Sequence, residues 1–294
     1  MRFHIVKRDS CPFWKKLCLY LAAVAGALVL GGLLLLVMGV DPIAYYQRMF
    51  TMGMVGNKIA YKAFENYLKV FVPLVLTAVG LSLAFKMRFW NIGGEGQVLI
   101  GGLVAALIMV YFGSSLPAPL LFAAMVIGSV LAGAIWAFVP AWFKSRWNTN
   151  ETLFTLMMNY VATSIVACMT NIMRGQASSL GTLNKATKAG WLPVINGQRY
   201  TINIIVVLVL TFAMYAYLKY SKQGYEISVV GESENTARYA GINEKKNVIL
   251  SMTIAGALAG FGAGLFYLSG GGEWNPLNST SLPAMGFNGI ATAL

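Results

Sequence analysis

The residues best equipped for chemistry in this chain stand in "NIGGEGQ", where Asn91, Glu95 and Gln97 alternate with Gly93, Gly94 and Gly96. A carboxylate and two amides this close can bind one another, satisfy backbone groups freed by a helix break, or line the path of a polar solute. Histidine chemistry is excluded from the core, because the only histidine is His4, close to the N-terminus. Cys11, Cys18 and Cys168 lack C-x-x-C spacing, so neither a metal motif nor a disulfide framework follows. The chain has no G-x-x-x-x-G-K-[ST] phosphate loop, no nucleophile elbow and no His/Asp/Glu metal cluster. "GGEGQ" is not a G-x-G-x-x-G fingerprint after a strand, so a dinucleotide site is not expected. No catalytic residue, metal or cofactor is expected. Transport, a channel, or a receptor or scaffold role are the classes left.

Three further stretches carry polar or small residues inside apolar sequence. "NETLFTLMMNY" supplies Asn150, Glu151 and Asn159. Glu151 at a helix start suits the positive end of the helix dipole. Asn159 lies one to two turns inside, where an amide either bonds a neighbouring helix or faces a solute path. "AGALAGFGAG" places Gly256, Gly260 and Gly264 on one helical face, a pattern for tight packing more than ligand contact. "GFNGIA" (Gly286–Ala291) is another glycine-rich break, and it contains Asn288. The candidate substrate path therefore comprises Asn91, Gly93, Gly94, Glu95, Gly96, Gln97, Asn159 and Asn288.

The elements that position these residues follow from composition. Of the 294 residues, 57% are hydrophobic and only 11% charged, with a mean hydropathy of +0.65. Soluble domains carry about 25% charged residues. Uncharged runs such as Leu17–Val40 and Leu99–Phe143 are continuous rather than alternating, which predicts transmembrane helices and not barrel strands. Spans are expected near 17–40, 67–85, 98–112, 119–140, 152–172, 202–219 and 248–268, with an eighth beginning near Met285 and incomplete at Leu294. The fold class expected is an all-α polytopic transmembrane bundle forming a single domain over 1–294. The first apolar run is 24 residues long with no small-x-small cleavage site after it, so it reads as a retained helix rather than a signal peptide. The net charge of +12 reflects topology rather than nucleic acid, because the basic residues lie between apolar runs. A cytoplasmic N-terminus (1–16) with alternating crossings puts fourteen of the 22 basic residues inside and eight outside. Two outside segments are long. Asp41–Asn66 suits an interfacial helix, and Met173–Tyr200 suits either a loop over a translocation mouth or a solvated connector.

The inside segment 219–247 is polar but not of low complexity. Tyr225–Val230 looks strand-like, Gly231 follows, and Ser233 is placed to cap a short helix over "SENTARYAGI". Ala237, Tyr239, Ala240 and Ile242 form a small apolar surface beside Glu232, Glu234 and Arg238, with Gly241 among them. The pattern fits a docking helix parallel to the membrane, or a plain connector.

Taken in order, "FWNIGGEGQVLIGG", "NETLFTLMMNYVA", "KQGYEISVVGESENTARYAGINEKKNVILSMTIAGALAGFGAG" and "GFNGIATAL" resemble the permease subunits of bacterial ABC importers of the branched-chain amino acid/ribose superfamily. "NIGGEGQ" is most similar to the nucleoside-uptake branch. The resemblance runs from about Tyr67 to the end. It implies a permease of the cytoplasmic (inner) membrane that translocates a small polar solute, with nucleosides expected and ribose or another simple sugar the alternative. It implies a cytoplasmic ABC ATPase on a separate chain, a second permease subunit forming a heterodimer, an extracytoplasmic substrate-binding lipoprotein, and membrane lipid around the helices. Residues 231–243 match the region that supplies a coupling helix, with 237–242 packing in an ATPase groove and Arg238 making a charged contact. The resemblance also implies further helices beyond "GFNGIATAL", so the last span is expected to be unfinished. A secondary transporter or channel without an ATPase, and a membrane scaffold, are the rival classes.

Overall fold

Uninterrupted apolar runs leave the backbone no solvent partner in lipid, so each run closes its own hydrogen bonds as a helix. The computed structural model describes residues 12–51, 60–173, 192, 200–268 and 285–293. The described residues form α1 (Phe13–Val37), α2 (Pro42–Phe50), α3 (Ala60–Lys86), α4 (Gly94–Phe112), α5 (Ala118–Trp147), α6 (Glu151–Met173), α7 (Tyr200–Tyr220), α8 (Lys222–Glu232), α9 (Glu234–Tyr239), α10 (Glu244–Leu268) and α11 (Met285–Ala293). Seven of them, α1, α3–α7 and α10, are long and apolar enough to cross a membrane. The expected helical bundle is present. The eighth run begins as α11, described over nine residues. Most of the expected outer loop Met173–Tyr200 lies outside the described residues.

The chain divides into two compact units, Met1–Phe64 and Glu65–Leu294. In the first, α2 folds back on α1. Asp41 caps α2 by accepting from Ile43 N (2.9 Å), and Tyr46 Oη donates to the Leu28 carbonyl (2.7 Å). A helix thus forms within the segment expected to hold one.

In the second unit α4, α5 and α10 pack as the centre, and α3, α6, α7 and α11 surround them. The small-residue face of α10 makes this possible. A Cβ on Gly260 would fall 3.0 Å from Gly133 Cα and strike the Ser129 carbonyl of α5, while Gly101 of α4 meets Gly260 from another side. Three backbones share this point, and only glycine lets them do so.

The connector 87–93, the connector 148–150, and α8–α9 gather at one end of the unit. Gly231 of α8 lies against the Lys86 carbonyl, and Ile92 bonds Thr155 of α6. At this end Trp142, Phe143 and Trp147 of α5 pack with Phe154 of α6, with ring centroids 4.9–5.3 Å apart. Lys144 pairs with Glu151 at 2.8 Å. Aromatic and basic residues concentrate in this way where helices leave a bilayer.

Residues 225–230, expected as a strand, lie within helix α8. The alternation of Tyr225, Ile227 and Val229 imitates a strand. However, Gly224, Ile227, Val230 and Gly231 recur at helical spacing, and it is this face that is buried. Ser221 caps the helix by accepting from Gly224 N at 2.9 Å.

Candidate functional site

The glycine-rich break is a turn sunk among helices. After Lys86 the backbone bonds Met87 N to Ala84 O (3.1 Å) and Phe89 N to Ala84 O (3.0 Å), and Arg88 takes a left-handed φ of 57°. Phe89 and Asn91 are buried while Trp90 is exposed. Gly93 leads into α4, whose first residues, Gly94 to Leu103, are all buried. The partners of this turn, Thr155 and Asn159, lie four and eight residues into α6, so the break sits about 6–12 Å inside that helix end. The stretch is a turn between two spans, and it lies within the helix bundle.

At that depth each free polar group needs an internal partner. Asn91 Oδ1 accepts from Gly93 N (3.0 Å) and from Gln97 Nε2 (3.2 Å), and Asn91 Nδ2 donates to Gln97 Oε1 (3.4 Å). Asn159 donates from Nδ2 to the Ile92 carbonyl (2.9 Å) and accepts at Oδ1 from Gly96 N (2.8 Å). Thr155 Oγ1 accepts from Ile92 N at 3.2 Å and donates to the Glu151 carbonyl at 2.7 Å. A helix start leaves its first N–H groups without intrahelical partners, and here side chains of the turn and of α6 supply them.

Glu95 reaches across to another helix. Its Oε2 accepts from Gly286 N (2.9 Å) and Phe287 N (3.2 Å), both in the first turn of α11. The carboxylate therefore stands between two helix N-termini, its own α4 and α11, where both dipoles favour an acceptor oxygen. Gly286 is the residue that permits the approach: a Cβ there would strike Glu95 N and Cα. Gly289, one turn on, rests 3.1 Å from Thr77 Cγ2 by the same measure.

The structure thus joins Asn91, Gly93, Gly94, Glu95, Gly96, Gln97 and Asn159 in one cluster. Asn288 is exposed and stands apart from it. Sequence reasoning missed Thr155, although its place four residues before Asn159 puts both on one face of α6. It also missed Trp136, whose Nε1 is buried without a hydrogen-bond partner and lies 2.8 Å from where a Gly96 Cβ would stand. Among the described residues no group of three His, Cys, Asp or Glu side chains is placed to hold a metal.

The second candidate region differs in character. Ser233 caps α9 by accepting from Thr236 N (3.3 Å). The end of α9 closes through Gly241 (φ 70°), with Ile242 N bonding the Ala237 carbonyl at 2.9 Å. The expected apolar surface is split: Ala237 is fully buried, Tyr239 is 95% exposed, Ala240 is exposed and Ile242 half-buried. Glu232 is exposed, and the side chain of Glu234 lies outside what the structure describes. Arg238, largely exposed, donates to Glu244 of α10 at 3.3 Å.

Comparison with known proteins matches residues 63–294 to the family described as branched-chain amino acid transport system / permease component. The chain is 30% identical to a guanosine ABC transporter permease protein of Bacillus subtilis, over 93% of this chain and 78% of that one. It is 29% identical to a nucleoside ABC transporter permease protein of Lactococcus lactis subsp. cremoris, over 95% and 78% respectively. It is 28% identical to a glucose ABC transporter permease protein of Haloferax volcanii, over 98% and 76%. No solved structure matches. With seven apolar spans and a family match that takes in every described element from α4 to α11, the chain is a multi-pass membrane protein and belongs to the branched-chain amino acid transport system permease family.

Proposed function

We propose that this chain is the membrane-spanning subunit of an ABC importer that brings nucleosides across the cytoplasmic membrane. The observation that carries the proposal is the similarity, over more than nine-tenths of the chain, to permeases named for guanosine and for nucleosides. ATP is hydrolysed on a separate cytoplasmic chain that docks on α8–α9. A second permease completes the pore, and an extracytoplasmic lipoprotein delivers the solute. The N-terminus is cytoplasmic, an orientation supported by the fourteen-to-eight distribution of basic residues. Transport proceeds by alternating access, with ATPase closure favouring one arrangement of the helices over the other. The buried cluster does no covalent chemistry. It sets the positions of α4 and α11 beside the solute path, and Asn288 lies on the exposed side of α11.

Uptake of labelled guanosine into proteoliposomes containing the full complex tests the proposal. Uptake is expected to require ATP and to be competed by other nucleosides. Uptake that persists without the ATPase would make the chain a secondary transporter or channel. A sugar substrate is the second reading, favoured by the similarity to the glucose permease. A cognate lipoprotein that binds ribose or glucose and ignores nucleosides would establish it.

A further inference from the structure

The docking helices and the buried cluster are joined by packed backbone. Ile227 of α8 is buried against Leu83 and Met87 at the end of α3. A Cβ on Gly231 would strike the Lys86 carbonyl and stand 3.2 Å from Met87 Cα. Met87 Sδ in turn accepts from Ser251 Oγ of α10 at 3.4 Å. From Lys86 the seven-residue turn 87–93 leads directly to Glu95, and Glu95 holds the first turn of α11. The route has two joints, α8 on Lys86 and α4 on α11. Each is a glycine backbone lying on another backbone, at Gly231 and at Gly286. Close-packed contacts of this kind transmit displacement rather than absorb it.

We infer that Glu95 is a positioning residue for transport: it makes α11 travel with the turn 87–93, so that displacement of α8 by the ATPase reaches α11 through Lys86. This rests on the reading of the chain as an ABC permease. The first turn of α11 is tied by two hydrogen bonds to the Glu95 side chain. Releasing them loosens this joint without touching the face proposed to meet the ATPase.

The test uses the complete complex in lipid, with nucleoside uptake and ATP hydrolysis measured together. Asn288→Cys, in a background lacking Cys11, Cys18 and Cys168, reports α11 by its rate of thiol labelling with and without vanadate-trapped nucleotide. With Glu95 intact, trapping is expected to change the labelling rate. Glu95→Ala is expected to abolish that change and to lower uptake per ATP by about tenfold or more, with hydrolysis retained. Glu95→Gln keeps an oxygen that accepts both N–H groups and is expected to hold uptake per ATP within about threefold of the parent. Gly231→Val opens the other joint and should uncouple in the same way. It carries the comparison should Glu95→Ala fail to accumulate. Nucleotide-dependent labelling and uptake per ATP that are indifferent to both substitutions would overturn the inference while leaving the permease reading intact. A parent complex that neither recruits an ATPase nor imports nucleosides would overturn the permease reading itself.

Discussion

The turn before α4 and the short helix α9 are both polar punctuation between apolar runs, and they use their polar groups in opposite ways. In the turn, Asn91, Glu95, Gln97, Thr155 and Asn159 are bonded to one another or to backbone. At α9 one small residue, Ala237, is buried, while Tyr239 and Ala240 project outward. Depth explains the difference. Inside a bundle each unpartnered group costs several kcal/mol, so the turn is bonded within the chain. At the bundle end water or a partner chain can take up what α9 leaves open. The buried region is therefore expected to govern stability, and the exposed one association.

Substitutions can break this comparison, beginning with the largest effect. Asn159→Leu leaves Gly96 N and the Ile92 carbonyl without partners at membrane depth. The expected loss is about 2–6 kcal/mol, on the basis of about 1–3 kcal/mol per orphaned group. Folded yield and melting temperature in detergent measure it, and near-parental values would mean that water or another residue serves those groups. Thr155→Val removes one acceptor and keeps the shape, so the expected cost falls to about 1–3 kcal/mol, for the Ile92 N–H alone.

Smaller effects are expected at the bundle end. Lys144→Met breaks the pair with Glu151, whose side chains are 28% and 20% exposed. Exposed pairs are worth about 0–1 kcal/mol, and this one should stay near that range. Its contribution should shrink in high salt, as a melting series at several ionic strengths would reveal. Tyr239→Ala sits at the bottom of the stability ranking, within about 0.5 kcal/mol of the parent, because the side chain is 95% exposed.

Local patterns made much of this legible beforehand. Uninterrupted apolar runs located the spans, and Ser233 marked the start of α9 because its hydroxyl can serve a backbone N–H two to three residues on. The four-residue glycine spacing of α10 announced the close approach seen at Gly260. Periodicity misled at Tyr225–Val230, where Tyr225, Ile227 and Val229 alternate as in a strand while Ile227 and Val230 share the buried face whose packing on α3 selected the helix. The bond from Glu95 to Gly286 had no local signal at all, because its ends lie 191 residues apart. The sequence showed two glycine-rich breaks with polar residues, but nothing in either spelled out that one would bind the other. Asn288, expected on the substrate path, lies on the exposed side of α11.

The contrast between a region that holds the bundle together and one proposed to meet the ATPase is tested most directly by Tyr239→Ala, with ATPase retention on the purified permease measured beside its melting temperature. The account predicts an unchanged melting temperature together with lost ATPase retention. A variant that melts like the parent and still holds its ATPase would contradict it.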